Sequence, residues 1–350
     1  MAFATPTRLD HVQALRGLAA GLVMLSHLAQ IEARSVADPI LPASAEWGYM
    51  GVDLFFVISG FIMVHVTRGW TAGGLRRVPE FLFARAARIY PLYWIVSAVV
   101  LAVWLVRPDL VFSSSPNEPQ WLNSLLLVPA EAYPLLEVGW TLVYEVMFYV
   151  AFAVLLIMPA RWRPWGLAAW ASIVALGYGL GAQADSALAF HAFSPLVLEF
   201  IAGAFTALLY RKLDGSRTIA LVLVLAGLAG LSVWFGIGAP FEDQGPRVWR
   251  LTLPACALLL GAAWLDRHGV KAPRAAVRLG DWSYSLYLTH LLVLSAVGQV
   301  WRAAGWSGMP SVLFLAVAGA SAVGAAALTY RLVEAPLIGQ ARHARARLFG

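Results

Sequence analysis

Apolar residues run in blocks of about 18 to 22 along nearly the whole chain, the length that crosses a bilayer as a helix. Short clusters of Arg, Pro, Asp and Gly separate them, and no stretch alternates with the two-residue period of a membrane barrel strand. The pattern predicts an all-α polytopic membrane bundle with ten transmembrane helices, over 11–33, 48–67, 89–107, 139–159, 165–183, 193–210, 217–238, 250–265, 282–301 and 310–330. The segment 108–138 is broken by Pro and Asn yet contains the apolar LNSLLLV, so it is expected to fold back against the outer face as a short re-entrant helix.

Composition agrees: 60% of residues are hydrophobic and only 13% charged, about half the charged share of soluble domains. Orientation follows the basic residues, which stay cytoplasmic near span ends. With both termini inside, all but five of the 25 lysines and arginines (Arg34, Arg107, Arg247, Arg250 and Arg302) fall on the cytoplasmic side. This bias accounts for the net charge of +6 through contact with anionic membrane lipid and calls for no nucleic acid. The first apolar segment is too long for a cleavable leader and carries a histidine. A single transmembrane domain over 1–350 with a short basic tail at 339–350, and no appended soluble domain, is the expected organisation. Cys256, the one cysteine, reads as a small core residue.

Ionisable residues inside apolar helices are expensive, which makes each a candidate for function or for a structural pairing. In LDHVQALRGLAAGLVMLSHLAQ, Arg16 and His27 are eleven residues apart, so a helix brings them to within about 20° of one face, roughly 16 Å apart along the axis. A neutral imidazole at His27 suits a general base, with the carboxylate of Glu145 (WTLVYEVMFY) as a candidate to orient it. In FLFARAARIYPLYW, Arg85 and Arg88 lie one turn apart on a helix, and guanidinium pairs suit a ligand with several phosphates such as coenzyme A. Pro91 just beyond them is expected to kink or start the third span. Asp53 in GVDLFFVISGF, Glu199 and His290 in DWSYSLYLTH divide between function and helix packing. Glu334 in RLVEAP is expected to pair with Arg331. The seven histidines are dispersed without metal-ligand spacing, so no metal site is expected.

Taken in order, ALRGLAAGLVMLSH, GVDLFFVISGF, FLFARAARIYPLYW, WTLVYEVMFY, LGDWSYSLYLTH and RLVEAP resemble the acyltransferase-3 family of membrane acyltransferases, over about residues 9–338. The resemblance is closest to bacterial exopolysaccharide and O-antigen O-acetyltransferases. It implies an enzyme of the inner (plasma) membrane that transfers an acyl group, usually acetyl from acetyl-CoA, to a sugar hydroxyl. The family's Arg-ten residues-His pattern falls on Arg16 and His27, its Arg-x-x-Arg pattern on Arg85 and Arg88, and its Trp-Thr/Ser-Leu-x-x-Glu pattern on Trp140, Thr141, Leu142 and Glu145.

Residues and resemblance together suggest acyl-CoA entering from the cytoplasm, phosphates near Arg85, Arg88 and Arg16, with the acyl group at His27. Direct attack by the acceptor and an acyl-histidine intermediate both stay open. Ser26, Ser59, Tyr144 and Tyr284 are unranked candidates for oxyanion donors. The expected partners are acyl-CoA, a carbohydrate acceptor and membrane lipid, as a monomer or a homodimer. The rival reading is a proton-coupled transporter or flippase, whose sign is substrate flux without acyl-CoA.

Overall fold

The computed structural model describes residues 8–108, 120–237 and 244–349. Part of the expected re-entrant segment (109–119), the end of the seventh expected span and the outermost terminal residues lie outside the described residues. Among the described residues every regular element is helical and no strand is present.

The ten expected spans coincide with ten helices: α1 (Asp10–Ser35), α2 (Gly51–Val66), α3 (Val78–Val106), α5 (Trp140–Leu156), α6 (Arg163–Gly179), α8 (Leu196–Lys212), α9 (Arg217–Ile237), α10 (Gln244–Arg267), α12 (Ser283–Ala303) and α13 (Ser311–Thr329). The short α4 (Trp121–Leu126), α7 (Ala187–Ala192) and α11 (Arg274–Asp281), and the terminal α14 (Ala335–Phe349), lie between or after them. Among the described residues, eight helical stretches are long and apolar enough to cross a membrane. The two expected spans outside that set have physical reasons for it. α6 has only 17 residues, and α12 opens with the polar run Ser283, Tyr284, Ser285, Tyr287, Thr289 and His290.

The chain divides into two compact units, each discontinuous in sequence: residues 1–62 with 202–330, and residues 63–201 with 331–350. In the first unit the core joins α1, α12 and α13 through Ala20, Leu28, Ile31, Leu286, Leu294, Trp301, Phe314 and the alanines 318, 322 and 326. Those alanines recur every four residues and form a small-residue face, which lets helix backbones approach where lipid supplies no hydrophobic drive. The approach of α1 to α11 is tighter still. A Cβ on Gly280 would lie 1.9 Å from the Gln13 carbonyl oxygen, and one on Gly17 would lie 2.8 Å from the Gly280 nitrogen.

No residue at the start of α1 caps the helix, and Asp266 of α10 supplies the acceptor instead. Both of its carboxylate oxygens lie 3.0 Å from the His11 backbone N–H. That satisfies a donor that the helix start leaves open and places negative charge at the positive end of the helix dipole. At the other end, buried Glu32 accepts from the backbone N–H groups of Ile40 at 2.9 Å and Leu41 at 3.2 Å, and from the Ser311 hydroxyl. α1 is therefore pinned at both ends by carboxylates.

In the second unit, α3 runs through Pro91 without starting there, so Arg85, Arg88 and the expected span 89–107 share one helix. Its residues Tyr93, Trp94 and Tyr90 donate to the carbonyls of Ser124, Leu125 and Leu126 at 2.7, 2.9 and 2.7 Å. These are the carbonyls that the end of a helix leaves unsatisfied, and they hold α4, the short apolar helix within the expected re-entrant segment. A π-helical turn at Tyr330–Glu334 leads into α14. Two ion pairs tie this end to α3: Arg88 Nη1 to Glu334 Oε1 at 2.5 Å, and Arg345 Nη2 to Glu80 Oε1 at 2.8 Å. Glu334 thus pairs with Arg88, on a distant helix, where Arg331 was expected.

Candidate active site

In the first unit the polar groups of α1 and of the DWSYSLYLTH segment meet at two levels. At the start of α1, Arg16 Nη1 donates to Gln13 Oε1 at 3.3 Å, and Gln13 Nε2 donates to Asp281 Oδ1 at 3.0 Å. Arg8 Nη2 bridges the same carboxylate at 2.9 and 3.0 Å. Eleven residues further along α1, His27 Nδ1 lies 3.0 Å from the Val23 carbonyl oxygen and 3.2 Å from His290 Nε2. His290, wholly buried, places its own Nδ1 2.9 Å from the Leu286 carbonyl. The rings are tilted by 60° with centroids 5.0 Å apart, an edge contact through nitrogen and not a stack. The Tyr287 ring stands 6.0 Å from that of His290, and the Phe55 ring 5.9 Å from that of Tyr287.

The other sequence candidates of this unit separate by what they touch. Ser26 Oγ donates to the Glu46 carbonyl at 2.6 Å, so its single hydrogen is committed to holding the chain before α2. Tyr284 is buried on α12 between Asp281 and His290, and Ser59 is half-buried on α2. Asp53 is gripped by Arg247 of α10 through two 2.8 Å hydrogen bonds, and the guanidinium also lies 4.9 Å from the centre of the Tyr49 ring.

In the second unit Arg85 and Arg88, one turn apart, have different surroundings. Arg88 is held by buried Glu334. The Arg85 guanidinium lies 6.0 Å from the Phe81 ring centre and 5.9 Å from that of Tyr149, and its Nε is buried with no hydrogen-bond partner among the described residues. Tyr149 in turn donates to Glu145, one turn before it on α5. Tyr144 is buried with its ring 6.0 Å from Trp140 and 4.7 Å from His191. An arginine with an unsatisfied buried N–H, beside a carboxylate engaged by a tyrosine, is a constellation suited to an anionic group.

Sequence reasoning missed Gln13, Asp281, Tyr149 and Arg247 as members of these clusters. Tyr149 had a readable signal, because four residues after Glu145 is the next position on the same helix face. Gln13, three residues before Arg16 on α1, had the same kind of signal, whereas Asp281 and Arg247 depend on pairings between helices remote in sequence.

A family model described as an acyltransferase domain matches residues 9–331. The chain belongs to the acyltransferase-3 family. This acyltransferase is 35% identical over 320 residues to the exopolysaccharide production protein ExoZ of Rhizobium meliloti (strain 1021), covering 87% of the chain and 94% of ExoZ. It is 27% identical to the acyltransferase MdmB of Streptomyces mycarofaciens, over 96% of the chain and 94% of that protein. Nodulation protein 10 of Rhizobium leguminosarum bv. viciae is 26% identical, over 82% of the chain and 81% of its own length. No solved structure gives a significant match. Family and apolar helices together make the protein a membrane acyltransferase.

Proposed function

We propose that this acyltransferase, in the inner membrane, moves an acyl group, acetyl in the first instance, from cytoplasmic acyl-CoA to a sugar hydroxyl of an exopolysaccharide or its lipid-linked precursor. The likeness to ExoZ, named for exopolysaccharide production, supports the acceptor class, and the family supports the chemistry. The observation that carries the reading is His27, an imidazole held in a defined orientation inside an apolar helix by Val23 and His290.

In this reading His27 takes the proton of the acceptor hydroxyl as its oxygen attacks the thioester carbonyl. The new C–O bond forms, the C–S bond breaks, and the coenzyme A thiolate leaves, receiving the proton back from the imidazolium. In the second unit Arg85, with its buried unsatisfied N–H, is suited to bind a phosphate of the donor, and in the first unit Arg16 is a basic group on the helix of His27. Arg88 is already neutralised by Glu334, so its part is to hold α3 in place more than to grip phosphate. Glu145, engaged by Tyr149, orients the polar groups around Arg85.

The test is incorporation of label from [14C]acetyl-CoA into the polysaccharide fraction of membranes holding equal amounts of wild-type, His27→Ala and Arg85→Ala protein, with acetyl-CoA binding measured in parallel. The expected result is loss of transfer with binding retained for His27→Ala, and weakened binding for Arg85→Ala. Full transfer by His27→Ala, or glycan flux across vesicles without acyl-CoA, overturns the reading.

A further inference from the structure

The nitrogen of His27 that accepts the proton is decided by its neighbours, and one of them is itself a histidine. A carbonyl oxygen only accepts a hydrogen bond, so a ring nitrogen within hydrogen-bond distance of one carries hydrogen. By that rule His290 holds its hydrogen on Nδ1, donating to the Leu286 carbonyl at 2.9 Å. Its Nε2 is then the lone-pair nitrogen, and this atom lies 3.2 Å from His27 Nδ1. The same His27 Nδ1 lies 3.0 Å from the Val23 carbonyl. One hydrogen on His27 Nδ1, shared between Val23 O and His290 Nε2, satisfies both of these contacts. The opposite tautomer would turn the lone pair of Nδ1 toward two other lone pairs at once, in surroundings of low dielectric where such repulsion is strong.

The geometry points to His290 as the positioning residue that sets the basic nitrogen of His27. It holds the His27 ring in the Nδ1–H tautomer, which makes Nε2 the atom that takes the acceptor's proton, and the same hydrogen bond then steadies the imidazolium that forms. This rests on the reading of His27 as the base. The role matches that of the carboxylate which orients the histidine in serine-hydrolase triads, with a neutral ring in its place. A neutral acceptor fits a site buried in the membrane, because an unpaired carboxylate there would carry a far larger desolvation cost.

The frame around His290 suits a positioning role. Leu286, Leu288 and Leu294 on α12 are wholly buried, as is His290 itself. The ring is fixed by its own backbone contact one turn back and flanked by Tyr287. A ring locked on one side by a carbonyl presents a single lone pair, in one direction, to its neighbour.

The experiment compares His290→Leu, which removes the acceptor, with His290→Gln, whose amide oxygen can occupy the place of Nε2. Transfer from [14C]acetyl-CoA to membrane polysaccharide is measured as maximal rate and KM for acetyl-CoA, alongside His27→Ala. In parallel, 15N NMR of histidine-labelled full-length protein in lipid bilayers reads the His27 tautomer, its signal identified by its loss in His27→Ala. The expected result is a maximal rate lowered roughly 10²-fold in His290→Leu. KM stays within about threefold of wild type, since a group that acts on proton transfer leaves donor binding alone. His290→Gln recovers most of the loss, and wild-type His27 shows the Nδ1–H signal.

Wild-type rates in His290→Leu alongside an inactive His27→Ala overturn the role of His290 while leaving that of His27. An active His27→Ala overturns the base reading and this inference with it. If His290→Leu does not fold, the wild-type spectrum decides, because an Nε2–H signal at His27 contradicts the inference without any variant at His290.

Discussion

Two pairs in the first unit, Asp53 with Arg247 and the half-buried His27 with buried His290, place ionisable side chains where membrane helices tolerate them poorly. Their contacts make them different kinds of feature. Arg247 meets both oxygens of Asp53 at 2.8 Å, with the two side chains 1% and 2% exposed. Full charge is matched by full charge in a bidentate fork, and the pair is a clasp between α2 and α10. In the histidine pair, His27 Nδ1 lies 3.0 Å from the Val23 carbonyl and 3.2 Å from His290 Nε2, contacts that orient the ring without an opposing charge. Both pairs are costly in a membrane helix, but the inventory of donors and acceptors separates the ionic clasp from the histidine pair.

The largest effect that would break this contrast is on stability. Asp53→Ala removes the carboxylate that faces a buried guanidinium, and is expected to cost about 3–5 kcal/mol, read as a lowered unfolding midpoint in detergent. The apolar double replacement Asp53→Leu/Arg247→Met should recover most of it. His27→Ala should do the reverse, costing about 1 kcal/mol or less of stability while abolishing transfer. If the two variants behave alike, the distinction between clasp and reactive group fails.

Gly280→Ala comes next, since its methyl group would overlap the Gln13 carbonyl. A loss of about 1–3 kcal/mol is expected from overpacking, with Arg16 displaced along with Gln13. The arginines of α3 offer a parallel test in the second unit. Arg88→Ala removes the cation facing buried Glu334 and should lower stability by about 1–3 kcal/mol, whereas Arg85→Ala should leave the melting curve nearly unchanged and raise KM for acyl-CoA. The smallest effect belongs to Asp281→Asn. Its partner Arg8 is more than half exposed, so less than about 1 kcal/mol is expected, and any larger loss of transfer would show that the Gln13 link to Arg16 matters for donor binding.

Much of the fold was legible because bilayer thickness imposes its own length on apolar runs, and all ten expected spans formed helices. The spacing of Arg16 and His27 and of Arg85 and Arg88 was legible for a similar reason, since both pairs lie within one helix whose geometry is fixed. Pro91 does not start the third span, because α3 begins at Val78 and passes through it. Glu334 was given the nearest arginine in sequence, whereas the π-helical turn at Tyr330–Glu334 accompanies a pairing with Arg88 instead.

By itself, then, the sequence determined that this is a helical membrane protein and which few ionisable groups stand inside its helices. These are consequences of local periodicity and of the cost of charge in lipid, and neither needs a partner to be known. Only the tertiary structure decided that His27 faces His290, that Asp53 is closed off by Arg247 and that Glu334 neutralises Arg88. Those partners lie 263, 194 and 246 residues apart. No helical period reaches that far, so their meeting is set by how helices pack, and the packing gives each buried group its chemistry.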